Sequence, residues 1–439
     1  MFDNERYVAW GEDQRLTETP LLGRRGEILD RNGEELAISL PSPYVFADPA
    51  LVSDPRGEAE ALAPLLGRTT EELHEMLASP GRFVYLERPT TEAVAEQVRA
   101  LDLDGVFIDE EPNRFHPAGD TFARGVLGTV GVDGVGLSGL EAQHDEVLAG
   151  TPGRLVSERG LDGRTIPEGE RESLPAVDGA DIELTVDRAL QFEVEQTLRE
   201  HLLAAGAQGG TVIIAEPATG EVMAMASMAA LENGTVVPTS DNRAVTWTYE
   251  PASVMKAVTF GAVLNEGVAS PTSGRVISSE LQLYEETFTD DEIYEPRRMT
   301  VTDILVRSSN TGTITWAQEL GQTNLDGYLR DFGFGQPTGL GFPGESPGIL
   351  EPVDQWSGTH IATIAIGQSI AVTPMQMLAA YNVLANDGLY VAPRLVKAVD
   401  GERPDDVVVP RRVVTPDTAG DVTDMLTLVV DAGTARAAQ

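Results

Sequence analysis

The 439-residue sequence contains no cysteine, which excludes disulfide bonds, thiol catalysis and cysteine-ligated metals. It is almost as poor in lysine: of 31 basic residues, only Lys256 and Lys397 are lysines. Acidic residues number 70, for a formal net charge of -39. No basic tract exists that could neutralise nucleic-acid phosphates or hold an anionic membrane surface. No nucleic-acid partner is expected, and the acidity reads as a solubility or salt adaptation. The five histidines (His74, His116, His144, His201, His360) are scattered, without a pair at metal-ligand spacing. No Gly-x-Ser-x-Gly elbow supports a Ser-His-Asp triad. Neither metal nor cofactor is expected. There is no run of about 18 apolar residues, and Met1 to Pro20 is a polar lead-in without the basic start and apolar stretch of a secretory signal.

Against that scarcity of lysine, the position of one of them stands out. Lys256 lies three residues after a serine in Pro251-Ala252-Ser253-Val254-Met255-Lys256. Three positions is almost one helical turn, so the two side chains share a face if a helix starts near Pro251. A serine hydroxyl becomes a useful nucleophile when a neighbouring base takes its proton, and an amine held in a dry pocket can be that base. The bland alternative has the same appearance: a serine at a helix start with a solvated lysine one turn on.

The chain is long enough for two or three domains and at least one large core. Tyr44-Val45-Phe46 and Phe83-Val84-Tyr85-Leu86 read as strands from their β-branched and aromatic content. Amphipathic periodicity predicts helices over Glu58 to Leu66, Thr70 to Leu77 and Thr91 to Leu101. A second unit opens with a strand from Ile182 to Val186 and a helix from Arg188 to Leu203. A hairpin follows, turning at Pro217-Ala218-Thr219-Gly220. Beyond it lie helical stretches around Ala257 to Leu264, Thr300 to Leu320 and Pro374 to Ala385, the last stopped at Asn386-Asp387-Gly388. The expected fold class is α+β, with a sheet and a helical subdomain beside the serine.

A second polar motif, Arg307-Ser308-Ser309-Asn310-Thr311, follows the serine by 55 residues (308 minus 253). In a turn, Ser308 and Asn310 could face one cleft and hold Lys256; a plain polar turn or helix cap would read the same way. Taken together, Ser-x-x-Lys and Ser-x-Asn form the pattern of penicillin-recognising acyl-transferases. The chain resembles the class B penicillin-binding proteins, the peptidoglycan D,D-transpeptidases, over nearly its whole length. Arg25-Gly26-Glu27-Ile28-Leu29-Asp30-Arg31-Asn32-Gly33 looks like that family's opening signature just outside the membrane, and Arg114-Phe115-His116-Pro117, Gly136-Leu137-Ser138-Gly139-Leu140-Glu141 and Leu148-Ala149-Gly150-Thr151-Pro152-Gly153 resemble its non-catalytic pedestal. Leu184-Thr185-Val186-Asp187, Gly220-Glu221-Val222, Phe342-Pro343-Gly344-Glu345, Gly367-Gln368-Ser369 and Thr373-Pro374-Met375-Gln376 resemble its transpeptidase domain. The segments Phe83 to Leu86 and Leu103-Asp104-Gly105-Val106 look most like the septal, cell-division branch.

The resemblance implies a pedestal over 21–175 and a transpeptidase domain over 176–439, with Ser253 as nucleophile, Lys256 as base, Ser308 as proton relay and Asn310 as substrate anchor. It implies peptidoglycan stem peptides as substrates, β-lactams as inhibitors, and a cell-wall glycosyltransferase and other membrane proteins as partners. It also implies a place on the outer face of the cytoplasmic membrane. A catalytically inactive division scaffold, a β-lactamase, a D,D-carboxypeptidase and a β-lactam sensor domain share parts of the pattern. Two departures from the family stand out. Ala252 occupies a position where relatives usually carry glycine, and a methyl group there restricts positive φ; tolerance is expected. The family's Lys-Thr-Gly motif is missing, and Asp431-Ala432-Gly433-Thr434-Ala435 looks like the segment that precedes it. The expectation is therefore a chain cut at both ends, with its last strands absent and little activity of its own.

Overall fold

The computed structural model describes residues 16–21, 23–158, 171–403 and 409–438. Its N-terminal half is organised on one long strand, Glu35–Ala47. That strand pairs antiparallel with Val106–Phe115 along most of its length and with Val84–Glu87 near its end. Alternation sorts its side chains: Val45 and Ala47 point into a core, whereas Tyr44 and Phe46 lie on the outer face. Three helices, Pro55–Leu66, Thr70–Leu77 and Glu92–Ala100, cover the inner face. Leu62, Leu73, Leu77, Leu86 and Val98 fill the space between. Each helix starts on a side-chain cap that satisfies an otherwise orphaned N–H: Asp54, Thr69 in a reciprocal box with Glu72, and Thr91.

One segment departs from the sequence expectation, and a second carries no local strand signal. Leu16–Leu21, read as the end of a polar lead-in, is a strand paired antiparallel with Gly153–Glu158; residues 1–15 of that lead-in lie outside the described residues. Val106–Phe115 contains Asp109, Glu110, Glu111, Pro112 and Asn113, which are poor strand formers. Its pairing partner, 59 or more residues away in sequence (106 minus 47), overrides that local preference.

The two halves share a sheet and a core. Ile28–Leu29 pairs with the long strand on one side and, in parallel, with Ile182–Leu184 on the other; Val396–Val399 completes that edge. Ile28, Leu36, Leu140, Leu184, Met225 and Phe342 pack in one cluster across the junction. The turn Asp30-Arg31-Asn32-Gly33 locks it. Buried Asp30 accepts from the N–H groups of Asn32, Glu34 and Arg188, and Arg31 meets Glu221 at 3.2 Å. The second lysine, Lys397, donates to the Arg31 carbonyl and pairs with Glu183.

Beyond the junction, the hairpin strands Gly209–Ala215 and Val222–Ala230 carry the helix Arg188–Ala205. Ala224 and Ala226 leave room for Val194, Leu198 and Leu202 of that helix. A helical body follows, with the helix Lys256–Asn265 at its centre, buried at every position from Lys256 to Leu264. The helices Asn310–Leu320, Gln322–Asp331, Pro374–Ala385 and Pro416–Ala432 surround it. Phe260, Phe332, Phe334, Val383 and Met425 form their common core.

Three pedestal motifs converge on one carboxylate. Glu141, fully buried, accepts from Arg25 Nε at 2.6 Å and from Arg114 Nε at 2.6 Å. Arg25 also reaches Asp145 and the Glu141 carbonyl, and Arg114 reaches the Gly26 carbonyl. Glycine is required at position 26, where a Cβ would lie 2.0 Å from the Ala180 oxygen. Removing the shared carboxylate would strand two buried cations. Glu141→Ala should therefore destabilise the protein by about 3–5 kcal/mol in urea unfolding; a loss below about 1 kcal/mol would show that the arginines find other partners or water.

Candidate active site

Ser253 stands on a short 3₁₀ turn, Ala252–Met255, that runs directly into the buried helix Lys256–Asn265. The turn is held from the opposite wall. Ala252 N–H donates to the Gly367 carbonyl at 2.9 Å, and Ser369 N–H to Glu250 Oε1 at 2.9 Å. Tyr381 Oη donates to the Val254 carbonyl. A Cβ on Gly367 would sit 2.1 Å from the Ala252 oxygen, so only glycine permits this approach. Ala252 itself is left-handed, with φ +51. The methyl group that sequence reasoning expected to be tolerated is accommodated, at a backbone angle that non-glycine residues seldom adopt.

The helix expected over Thr300 to Leu320 is broken. It forms as Val301–Val306 and Asn310–Leu320, with Ser308 at φ +55 between them. Ser309 supplies the cause: its hydroxyl caps the second helix by accepting from Gly312 N–H at 3.0 Å. The break turns Ser308 and Asn310 onto Lys256. The lysine Nζ lies 2.6 Å from the Ser308 carbonyl, 3.0 Å from Ser308 Oγ and 2.7 Å from Asn310 Oδ1. Asn310 Nδ2 donates to the Thr289 carbonyl at 2.9 Å, which turns its oxygen towards the amine.

Three of the four candidate residues are thus joined by hydrogen bonds. The fourth, Ser253, is exposed, and among the described residues its Oγ makes no hydrogen bond. Lys256 is 0% exposed. Burial lowers its pKa from 10.5 to about 8, against the opposing pull of Asp290 and Asp291. About one tenth of the amine is then neutral at pH 7. The surroundings suit that form: the two acceptors take the two N–H hydrogens, and the Ser308 hydroxyl can donate to the lone pair.

Sequence reasoning missed Asp290 and Tyr294, which stand behind Ser309 and Thr311. No motif spacing announces them, because they follow a hairpin (Glu280–Leu283, Glu286–Thr289) that the sequence pattern did not reveal. Other motifs prove to be scaffold. Thr373 and Gln376 form a reciprocal cap, and the Gln376 amide donates to the Gln336 and Pro347 carbonyls. Asp431 and Ala432 end the helix Pro416–Ala432, which packs on Val301–Val306 and Lys256–Asn265. Among the described residues no helix is long and apolar enough to cross a membrane.

With this geometry established, comparison places the chain. The family model for the penicillin binding protein transpeptidase domain matches residues 210–439, and that for the penicillin-binding protein dimerisation domain matches residues 20–184. Penicillin-binding protein PbpB of Mycobacterium tuberculosis is 34% identical over 444 residues, covering 92% of this chain and 64% of that protein. Peptidoglycan D,D-transpeptidase FtsI of Escherichia coli K12 is 31% identical over 425 residues, covering 93% and 70%. The crystal structure of penicillin binding protein 3 from Mycobacterium tuberculosis complexed with aztreonam matches with a TM-score of 0.69 at 29% identity, over 94% of this chain and 76% of that one. The chain belongs to the class B penicillin-binding proteins, with a pedestal-type dimerisation domain followed by a transpeptidase domain. It spans somewhat less than two thirds of the length of PbpB, 64%.

Two measurements test the local energetics. Ala252→Gly removes the left-handed alanine and should stabilise the protein by about 1 kcal/mol; no gain in urea unfolding would mean that the strain is relieved elsewhere. The depressed pKa of Lys256 gives a signed pH dependence. Below about pH 8 the lysine is protonated in both states and its full burial cost is present; above, the native amine is neutral while the unfolded one still carries its proton. Stability should rise by about 2 kcal/mol from about pH 7 to about pH 9.5 through this residue. The rise should disappear in Lys256→Met, and an equal rise in both proteins would assign it to other groups.

Proposed function

We propose that Ser253 is the nucleophile of a D,D-transpeptidase whose acyl donor is a peptidoglycan stem peptide ending in D-Ala-D-Ala. The observation that carries this reading is the fully buried Lys256 amine, with a pKa of about 8, held by Ser308 and Asn310 one turn from an exposed serine. Neutral Lys256 takes the Ser253 proton as Oγ bonds to the carbonyl carbon of the penultimate residue. The C–N bond then breaks, and Ser308 passes a proton to the departing D-alanine amine. An amine from a second stem peptide attacks the acyl carbon; the new amide forms, the C–Oγ bond breaks and Ser253 recovers its proton. Asn310 positions the donor, and the Ser253 N–H, at the start of a helix, is placed to bind the oxyanion. A β-lactam would open on the same oxygen and remain there.

This reading places the transpeptidase domain over 176–439 and the pedestal over 21–175, acting outside the cytoplasmic membrane in septal wall synthesis beside a glycosyltransferase and other membrane partners. The relative named FtsI as a D,D-transpeptidase supports the chemistry, and the aztreonam complex of a structural neighbour supports β-lactam binding. The sequence has no Lys-Thr-Gly. In this family that strand supplies a second oxyanion donor and the site for the substrate carboxylate. Loss of one such donor costs about 100- to 1000-fold in rate, so these 439 residues alone should acylate slowly. The same absence is the observation that favours the second reading, an inactive division scaffold.

Prolonged incubation with a fluorescent penicillin, read by intact mass, should attach one adduct slowly. Ser253→Ala should abolish it, and Lys256→Ala should slow it by at least about 100-fold. An adduct that survives Ser253→Ala would refute the assignment of the nucleophile. Fast labelling of the unmodified chain would instead refute the need for a third motif. In cells that depend on the gene, the scaffold alone would tolerate Ser253→Ala.

A further inference from the structure

Behind the two motifs lies an acidic side chain with no role in the reaction as written. Asp290 follows the strand Glu286–Thr289 and faces the break between the helices Val301–Val306 and Asn310–Leu320. Its Oδ2 accepts from Ser309 Oγ at 2.6 Å and from Tyr294 Oη at 2.5 Å, and its Oδ1 accepts from Thr311 N–H at 2.9 Å. The residue before it, Thr289, accepts from Asn310 Nδ2. Thr311 Oγ1 donates to the Ser278 carbonyl on the other side of the same ribbon. One carboxylate therefore grips the residues on both sides of Asn310, while the Asn310 side chain is turned the opposite way, to Lys256.

This grip has work to do. Ser308 sits at φ +55, a conformation worth about 1–2 kcal/mol of strain for a residue with a Cβ. A serine-rich break left to itself has several alternative local hydrogen bonds available. Ser309 can cap the following helix and donate to Asp290 at once, because its hydroxyl both accepts from Gly312 and donates to the carboxylate. Charge-assisted hydrogen bonds of this kind are roughly twice as strong as neutral ones.

We propose that Asp290 is the positioning residue of this site: by holding Ser309 and Thr311 it fixes Ser308 and Asn310 on the Lys256 amine, and its negative charge acts on that amine through space. The charges that act on Lys256 are the carboxylates of Asp290 and Asp291, both on the loop after the ribbon; the helices packed along its own helix contribute none. Asp290 leads, and both oppose the effect of burial. Asp290 thus has two separable effects, a geometric one through its three hydrogen bonds and an electrostatic one through space. The inference about acylation rests on the proposed roles of Ser253 and Lys256; the through-space effect on Lys256 does not.

The scarcity of lysine makes a direct test available. Protein labelled with ¹³C-lysine gives ε-methylene signals from Lys256 and Lys397 alone, and Lys397, paired with Glu183, serves as the internal control. Asp290→Asn should lower the titration midpoint of Lys256 by about one unit, the usual effect of removing a nearby opposite charge, and leave Lys397 unmoved. The acid limb of penicillin acylation should move down by the same amount, since the amine then sheds its proton at lower pH. Its plateau should fall at least about tenfold because Ser308 and Asn310 lose their fixed geometry. Asp290→Glu restores the charge but not the reach, and should return the midpoint while leaving the plateau low. A Lys256 midpoint untouched by Asp290→Asn would overturn the inference, as would variants that lower acylation equally at every pH with no movement of the limb. If the unmodified protein shows no penicillin adduct at all, the proposed function fails, while the lysine titration still decides the place of Asp290.

Discussion

The taking of one amine out of water is the constraint on which the site depends. Lys256 heads a helix that is buried at every position through Leu264, so its side chain cannot bend back to solvent. An ammonium left alone in such a place would cost several kcal/mol. The chain offsets that cost in two ways. It offers the amine two oxygen acceptors and a hydroxyl at hydrogen-bond distance, and it lets the proton leave at about pH 8. Those same adjustments are what the proposed role as a base requires. A lysine that kept its ordinary pKa would be well solvated and chemically idle; the packing that makes Lys256 awkward for stability is the packing that makes it useful.

Backbone strain gathers around the same point. Ala252, Ser308 and Ser369 all have positive φ; Ala252 lies in the serine turn, Ser308 meets the lysine, and Ser369 donates to Glu250 just before the turn. Each would relax if its neighbours allowed it, so each must be held by something stiffer than itself. The holders are identifiable: the Gly367 carbonyl and the Glu250 carboxylate for the serine turn, and Asp290 with the Ser309 cap for the break. Behind them lies the core built on Phe260, Phe332 and Val383, which gives those segments no room to drift. The pedestal repeats the logic at larger scale, where Arg25, Arg114 and Glu141 fasten three distant stretches of chain to one another.

Much of this was legible in the residues, and the parts that were not share a cause. Helix starts with a side-chain cap announce themselves locally, and Thr70–Leu77 and Pro374–Ala385 lie where periodicity places them. The hairpin turn at Pro217 to Gly220 is equally local. By contrast, Val106–Phe115 is a strand only because Glu35–Ala47 lies beside it, and Leu16–Leu21 only because Gly153–Glu158 does. The break at Ser308 falls in a Ser-Ser-Asn segment that suits a turn or cap, but the flanking helical pattern does not say where the chain turns; Asp290, 18 residues upstream (308 minus 290), provides part of the reason for its place. Ser253, Lys256, Ser308 and Asn310 could be picked out because their spacing is short and their chemistry unusual. Asp290 could not, since one aspartate among 70 acidic residues carries no mark of its partners.

That abundance of acid raises a question of its own, because a net charge of -39 ought to favour protonated lysine everywhere. Distance and solvent decide the matter. At physiological ionic strength the screening length is about 8 Å, so surface carboxylates farther away than that have little effect on a buried amine. What remains is the local balance, desolvation on one side and Asp290 with Asp291 on the other, and desolvation prevails. The surface can therefore be as acidic as solubility or salt demands without setting the protonation of the site. The use of arginine almost everywhere else fits the same division. An arginine at position 256 would stay charged at any relevant pH and could not serve as a base.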